Sequence, residues 1–292
     1  MKPDVNDLPP FGGTEAASDF DNAGVVVLPV PYEATVSYGG GTAHGPEAIL
    51  RASTQVELYD EQLQSEPFHA GLFTDAMLEV SGTTEEVVRR IETRFETLMD
   101  AGKWVVMLGG EHAITPGGVA AAASRHPELA VVQLDAHADL RQEYAGDRWS
   151  HACAMARCID LGVSLTAVGI RNYSVDEARR IREGIPGYRI VHAWEMEQET
   201  WVDRVLEGLD EKPVYLTIDL DYFDPAVIPA TGTPEPGGGA WWPTLRFLDR
   251  LIKRANVVAC DLVELAPSPG LHHADFTAAR LAYKLIGMRF PL

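Results

Sequence analysis

Short β-branched apolar segments alternate with amphipathic segments along most of this chain of 292 residues. A short run that is apolar at nearly every position predicts a strand buried on both faces of a sheet. Neighbouring parallel strands need a crossover connection, so the alternation predicts an α/β fold, a parallel sheet with helices on both faces. The predicted strands are Val25–Pro29, Trp104–Leu108, Ala130–Leu134, Leu165–Ile170, Val214–Ile218 and Val257–Leu262.

The clearest predicted helix runs from Thr83 to Ala101. Thr83 and Glu86 have the spacing of a capping box, in which each side chain bonds the backbone N–H of the other residue. Apolar residues follow this start at helical spacing, which predicts one buried face. Further helices are predicted at Glu47–Ala52, Pro116–Ala123, Asp176–Glu183, Trp201–Leu209, Thr244–Lys253 and Phe276–Ile286.

The chain is predicted to form one folded domain. Residues 1–24 are polar and rich in Asp, Pro and Gly, so they are predicted to form a leader, and residues 25–292 are predicted to form the domain. The Pro- and Gly-rich segment Pro225–Gly239 has the composition of a linker, but it directly follows a predicted strand. We interpret it as an active-site loop, because parallel sheets bind ligands beyond the carboxyl ends of their strands.

The charge of the chain restricts its partners. A net charge of −19 at pH 7 and an isoelectric point near 4.8 argue against a nucleic-acid partner and favour a small cationic ligand. No apolar run approaches the ~18 residues of a membrane span, and no basic and apolar signal segment is recognisable, so we expect a cytoplasmic protein with no membrane partner. The three cysteines, an odd number, are expected to be reduced thiols.

Ionisable residues follow four of the predicted strands at the point where each strand ends. Asp135, His137 and Asp139 occupy alternate positions after one strand, and Asp219 and Asp221 do so after another. Alternate residues of extended backbone point to one side, so these residues are expected to form a row of three ligands and a matching pair. The other two strands run into Gly109-Gly110-Glu111-His112 and Val263-Glu264.

Such a concentration of carboxylates predicts a metal site. Four carboxylates within ~4 Å of each other would repel by several kcal/mol per pair at an effective dielectric of ~20, and divalent cations would neutralise them. Mostly oxygen ligands with some imidazole favour Mn²⁺ over Zn²⁺, which usually has fewer ligands with more nitrogen or sulfur. The candidate ligands are His112, Asp135, His137, Asp139, Asp219 and Asp221.

The same segments resemble the arginase and agmatinase ureohydrolases, with the agmatinase branch the more similar. The resemblance extends roughly from Val25 to Ile286. One departure is that Glu111 and Ala113 flank His112, where many members have Asp and Ser. The matching segments are Gly41-Thr42, Gly45-Pro46, Gly109–His112, Asp135–Asp139, Ser150-His151, Ile218–Pro225, Ala230–Glu235 and Val263–Pro267.

The resemblance implies an arginase-like fold, which is a three-layer αβα sandwich on an eight-stranded, mostly parallel sheet, and it implies two Mn²⁺ per chain. Shared metal coordination would lower the pKa of a water molecule enough for attack on the poorly electrophilic guanidinium carbon. Asp135 and Asp219 would bridge the two ions. One ion would be held by His112, Asp135, Asp139 and Asp219, and the other by His137, Asp135, Asp219 and Asp221.

The resemblance also implies the roles of individual residues. Glu264 would pair with the planar guanidinium group and orient it, and Thr233 would contribute to the same substrate site. His151 would contact the substrate and carry a proton to the leaving amine, because the pKa of histidine lies near operating pH. Asp139 would be a catalytic residue as well as a metal ligand.

The expected substrate is agmatine, which would be hydrolysed to putrescine and urea in polyamine biosynthesis. The loop Leu140–Trp149 lacks the Asn- and Thr-rich pattern with which arginases bind the α-amino and α-carboxylate groups of arginine. One alternative is N1-aminopropylagmatine, which would suit an acidic rim. Another is a guanidino acid such as 4-guanidinobutyrate, which Arg141, Arg148 or Arg171 would bind. The resemblance further implies a homo-oligomer, either a trimer or a hexamer.

Two hypotheses belong to other functional classes. A non-catalytic relative would keep the fold as a binding module, but the intact row of ligands argues against it. A metal-dependent deacetylase would use one zinc ion and would not need Asp139 and Asp221 as additional ligands. Metal stoichiometry separates these cases, with two ions per chain expected for the ureohydrolase.

Overall fold

The computed structural model describes residues 8–198 and 200–291, and eight strands of these residues form one sheet. The strands are β1 (Val25–Val30), β2 (Leu72–Thr74), β3 (Trp104–Gly109), β4 (Ala130–Leu134), β5 (Ser164–Ile170), β6 (Tyr188–His192), β7 (Pro213–Asp219) and β8 (Asn256–Val263). Their order is β2-β1-β3-β8-β7-β4-β5-β6, and every neighbouring pair is parallel. The predicted eight-stranded sheet is therefore confirmed, and the named strands are parallel throughout.

Helices cover both faces of the sheet. They are α1 (Gly45–Ser53), α2 (Thr84–Asp100), α3 (Thr115–Arg125), α4 (Ala154–Asp160), α5 (Val175–Glu183), α6 (Thr200–Leu206), α7 (Trp241–Arg254) and α8 (His272–Arg289). Alternate residues of β1 enter opposite cores, with Val25 and Val27 on one side and Val26 and Leu28 on the other. The first core includes residues of α1, α6, α7 and α8, and the second includes residues of α2, α3 and α4. This is the predicted three-layer αβα sandwich.

The helix α2 begins as its sequence predicts. The side chain of Thr83 accepts a hydrogen bond from the backbone N–H of Glu86, and the Glu86 carboxylate accepts one from the N–H of Thr83 at 2.7 Å. This capping box satisfies two N–H groups that a helix start would otherwise leave without partners. Val87, Ile91 and Phe95 then turn inward to the core under the helix.

The elements that the sequence failed to predict lie mainly at the edges of the sheet. The six predicted strands are the six inner ones, whereas β2 and β6 form the two edges. An inner strand is buried on both faces and reads as a continuous apolar run, but β2 has three residues and β6 contains the exposed Arg189. The helix α4 was also not predicted, and α8 begins at His272 rather than Phe276.

The described part of the predicted leader contacts the sheet. Phe11 is buried in the first core, and its backbone N–H donates a 2.8 Å hydrogen bond to the hydroxyl of Thr74 at the end of β2. Residues 1–7 of that leader lie outside the described residues. In residues 8–198 and 200–291, no helix has the length and apolar character that crossing a membrane requires.

Candidate metal centre and active site

The four central strands of the sheet deliver the candidate site residues. β3, β8, β7 and β4 are consecutive neighbours, so their carboxyl ends meet at one edge. His112 follows β3, Glu264 follows β8, Asp219 ends β7, and Asp135 follows β4. The backbone at Gly110 lies so close to the chain after β1 that a Cβ there would be 1.9 Å from the carbonyl oxygen of Tyr32. Only glycine fits at this crossing, which brings His112 to the edge.

The first group of ligands surrounds the Nδ1 atom of His112. This nitrogen lies 3.1 Å from Asp135 Oδ2, 3.1 Å from Asp139 Oδ2 and 3.3 Å from Asp219 Oδ2. It makes no hydrogen bond among the described residues, although the side chain is buried. Nε2 of the same ring lies 2.9 Å from the hydroxyl of Thr217, which supports a proton on Nε2 and a lone pair on Nδ1. A lone pair aimed at three carboxylates fits a cation between them.

The second group consists of Asp135, His137 and Asp221, which also lie close enough to hold a metal ion. His137 Nδ1 is 3.0 Å from Asp221 Oδ2 and 3.7 Å from Asp135 Oδ1. The structure thus places Asp135 in both groups, and it places Asp219 with His112 in the first. A carboxylate that belongs to both groups is in a position to contact two metal ions.

The charges of the cluster show how strongly it needs cations. Burial, followed by the charge of Asp135, raises the pKa of Asp139 to about 7. Burial and the charges of Asp221 and Asp135 raise the pKa of Asp219 well above its usual value. Burial would lower the pKa of His137, but Asp221 and Asp135 outweigh it and raise this pKa to about 12. Without cations the cluster would therefore hold extra protons at pH 7, on the carboxylates and on His137, and divalent cations would take the place of these protons.

The row Asp135, His137 and Asp139 is not extended backbone throughout. β4 ends at Leu134, and Asp139 has a φ of 50°, in the left-handed region that few non-glycine residues occupy. Asp139 lies beside His112 and His137 lies beside Asp221, and both His137 and Asp139 line one cavity. Glu264 has a φ of 67°, so strained backbone occurs twice at this site.

Polar residues inside the central strands support the ligands, and they were not predicted from the sequence. Gln133 of β4 donates a 2.7 Å hydrogen bond from Nε2 to Asp135 Oδ2. Behind His112, Thr217 of β7 lies near Thr115, which donates to the fully buried Asp261 of β8. The signal was present in the sequence, since Gln133, Thr217 and Asp261 each interrupt an otherwise apolar strand.

A cavity of about 200 Å³ opens above the two ligand groups. Its lining includes the predicted site residues His137, Asp139, His151, Asp219, Asp221, Thr233 and Glu264. Glu264 Oε1 accepts a 2.7 Å hydrogen bond from the backbone N–H of His112, which leaves Oε2 for a ligand. Thr233 belongs to the loop between β7 and α7, and its hydroxyl is 3.5 Å from Asp221 Oδ2. The segment interpreted as an active-site loop thus contributes to the cavity wall.

His151 lines the same cavity but is not a member of either ligand group. Burial, and then the charges of His112 and His137, lower the pKa of His151 to about 4. This differs from the sequence-based expectation of a pKa near operating pH, because the ring is largely removed from water. His151 is neutral at pH 7, with its ring edge to face with that of Tyr144 at 5.9 Å between centroids.

Of the three arginines considered for binding a carboxylate, only Arg141 lines the cavity. The guanidinium of Arg171 donates to backbone carbonyls, among them those of Asp221 and Glu235 at 2.7 Å, and so anchors the loop after β7. Arg148 lies 3.4 Å from Asp160 on the surface. Arg141 already has an aromatic partner, since its guanidinium lies over the ring of Tyr144 at 5.1 Å from the ring centroid.

The chain matches the Arginase family over residues 23–287 and therefore belongs to that family. It is 42% identical to the N(1)-aminopropylagmatine ureohydrolase of Synechocystis, with 95% of this chain and 92% of the relative covered. It is 34% identical to the agmatinase of Pyrococcus horikoshii, with 92% of this chain and 93% of the relative covered. The crystal structure of the agmatine ureohydrolase of Thermoplasma volcanium has a TM-score of 0.87 and 31% identity, over 97% of this chain and 94% of that one.

These similarities confirm the predicted class of enzyme, a ureohydrolase that acts on a guanidino C–N bond. The family depends on a binuclear metal site, and the two ligand groups joined by Asp135 fit such a site. A small guanidino substrate is consistent with the same relatives.

Proposed function

We propose that this ureohydrolase acts on N1-aminopropylagmatine, from which it releases urea, and that agmatine is the second candidate substrate. The observation that carries the proposal is a single cavity next to the metal site. Members of both ligand groups line this cavity together with Glu264 and His151, and aromatic and acidic side chains also line it, at its mouth. The names of the relatives above support the same substrate class.

Two divalent ions, with Mn²⁺ preferred, are proposed for the two groups. Asp135 would contribute to both ions, with His112, Asp139 and Asp219 at the first and His137 and Asp221 at the second, and Asp219 would be a second bridge. Four carboxylates and two imidazoles suit Mn²⁺ better than Zn²⁺. When bound, the ions would supply a water nucleophile at neutral pH and charge stabilisation for the transition state.

Glu264 is proposed to orient the guanidinium group. Its Oε1 is fixed by the N–H of His112, and the carboxylate lines the cavity beside Asp219 and Asp221. A carboxylate held in this way can accept N–H bonds from the planar cation and keep its carbon facing the metal side. Thr233 borders the same region, so its hydroxyl is proposed to contact the substrate nitrogen atoms.

His151 is proposed to move the proton that the leaving amine needs. The ring is neutral at pH 7, so it can accept a proton as the nucleophile loses one. Because the pKa of His151 is lowered to about 4, the protonated ring would be a strong acid that readily gives the proton to the amine nitrogen. Its location outside both ligand groups leaves it available for this role.

The mouth of the cavity favours the longer, more cationic substrate. Tyr38, Tyr144 and Tyr173 line it, and aromatic faces attract ammonium groups. Glu177 also lines it. Its carboxylate accepts hydrogen bonds from the N–H of Leu140 at 3.0 Å and from the N–H and hydroxyl of Ser174, and among the described residues its cationic neighbour is Arg141 at 3.9 Å. N1-aminopropylagmatine has two amine groups beyond its guanidinium whereas agmatine has one, so the longer substrate would bring one more cation to these residues.

The test is urea release by the Mn²⁺-loaded enzyme from four compounds: N1-aminopropylagmatine, agmatine, arginine and 4-guanidinobutyrate. We expect kcat/KM to be highest for N1-aminopropylagmatine, lower for agmatine, and low for the two compounds with carboxylates. A highest value for agmatine would make the second candidate the substrate. A preference for either carboxylate compound would refute the proposed class and would point to Arg141 as its partner.

The cytoplasmic location and the homo-oligomeric state, a trimer or hexamer, stay predictions. Light scattering of the purified protein would establish the oligomeric state directly.

A further inference from the structure

A buried carboxylate next to the site holds a loop of the cavity rather than a metal. Glu111 is fully buried and is a member of neither ligand group. Its Oε2 accepts hydrogen bonds from the backbone N–H of Ala34 at 2.8 Å and of Thr35 at 2.7 Å, and its Oε1 accepts one from the Thr35 hydroxyl at 2.6 Å. Three short bonds from two consecutive residues fix Thr35 in one position and one rotamer.

Thr35 in turn contacts His151. The backbone N–H of His151 donates to the Thr35 hydroxyl oxygen at 2.9 Å, and the Nδ1 atom of His151 lies 3.1 Å from the same oxygen. The hydroxyl has one hydrogen, which it donates to Glu111, so Nδ1 must be the donor in its bond with Thr35. The neutral ring then carries its proton on Nδ1 and its lone pair on Nε2. Ser150, whose hydroxyl lies 3.3 Å from Nδ1, is the other polar neighbour of this nitrogen.

We propose that Thr35 is a positioning residue for proton transfer: its hydroxyl, held by Glu111, sets the tautomer and the orientation of the His151 ring so that Nε2 is the nitrogen that accepts the proton. This inference rests on the proposed role of His151. The three residues belong to separate segments, with Thr35 after β1, Glu111 after β3 and His151 before α4, so the arrangement exists only in the folded chain.

The test compares Thr35→Val, which keeps the shape but removes the hydroxyl, with Thr35→Ser, which keeps the hydroxyl. Thr35→Ala is a second hydroxyl-free variant in case valine crowds the loop. In the metal-loaded enzyme, we expect Val and Ala to lower kcat by about tenfold, the worth of one positioning hydrogen bond, with KM and metal content unchanged. Thr35→Ser should retain most of the wild-type kcat.

A double-mutant cycle with His151→Asn separates this inference from the function on which it rests. If Thr35 acts through His151, adding Thr35→Val to His151→Asn should lower kcat no further than His151→Asn alone. Additive losses, loss of metal in Thr35→Val, or an unchanged kcat in both hydroxyl-free variants would overturn the role of Thr35. An unchanged kcat in His151→Asn itself would instead overturn the proposed proton transfer.

Discussion

Asp135→Asn tests the metal centre most directly, because Asp135 is the residue that both ligand groups share. Its Oδ2 is 3.1 Å from His112 Nδ1 in the first group, and its Oδ1 is 3.7 Å from His137 Nδ1 in the second. The substitution keeps the size of the side chain and removes its charge. Asp221→Asn is the matched control, since Asp221 occurs in the second group only.

The size of the effect follows from the charge that each ion loses. Unit charges ~4 Å apart at an effective dielectric of ~20 interact by about 4 kcal/mol, and a divalent ion doubles this value. The amide oxygen and water still interact with the ion and offset part of this loss. We therefore expect each ion to lose about 2–4 kcal/mol of binding free energy, which weakens its binding by about 30- to 1000-fold in Kd. Asp135→Asn should therefore weaken both ions, and Asp221→Asn mainly one.

Metal content after dialysis and Mn²⁺ titration would measure these changes, with urea release as the functional readout. We expect Asp135→Asn to lose both ions and its activity, and Asp221→Asn to keep the ion of the first group. Two tightly bound ions and ordinary turnover in Asp135→Asn would refute the shared-ligand assignment. Loss of both ions only in Asp221→Asn would show that a different carboxylate is shared.

Three further predictions concern the metal, the proton and the stability of the fold. A chelator should abolish urea release and Mn²⁺ should restore it better than Mg²⁺ or Zn²⁺, whereas full activity of metal-free protein would contradict the metal centre. His151→Asn should lower kcat by roughly 10²–10⁴ with both ions retained, as metal analysis would show, and a loss of metal would make His151 a ligand. Lys284→Met should lower the free energy of unfolding by about 3–5 kcal/mol, because the fully buried Asp60 lies 2.9 Å from Lys284 Nζ and would lose this counter-charge. Urea denaturation would measure the change, and an unchanged midpoint would contradict the prediction. Burial raises the pKa of Asp60 but Lys284 and backbone N–H bonds lower it overall, so this pair stabilises the fold above about pH 4 and the stabilisation is lost as the pH falls through the lowered pKa.

The sequence predicted the parts of the fold that depend on local patterns. The inner strands are buried on both faces, so each appears as a largely apolar run, and Val105–Leu108 is apolar at every position. The edge strand β6 pairs with a neighbouring strand on one side only, and of its five residues Val191 alone is fully buried whereas Arg189 is exposed. So short a pattern does not distinguish a strand from a loop, because the strand conformation of β6 depends on pairing with β5.

The ligands near each other in sequence were also predicted, since the spacing of Asp135, His137 and Asp139 is itself unusual. The left-handed backbone conformation of Asp139, which accompanies the position of its carboxylate beside His112, was not predicted. That conformation is strained for an aspartate, and it is retained only where surrounding contacts outweigh the strain. One such contact is the bond from the N–H of Ala156 to the Asp139 carbonyl at 3.1 Å.

The sequence by itself therefore determined the fold class, the identity of the candidate ligands and the family, because these depend on residue type and on spacing along the chain. Only the tertiary structure decided the distances from Asp135 to His112 and His137, that Asp261 lies behind His112, and that Glu111 reaches His151 through Thr35. These contacts join residues from different strand ends, and their strength depends on burial. Neither the contact nor the burial is encoded in any one segment, since both arise when parallel strands bring their carboxyl ends to the same edge.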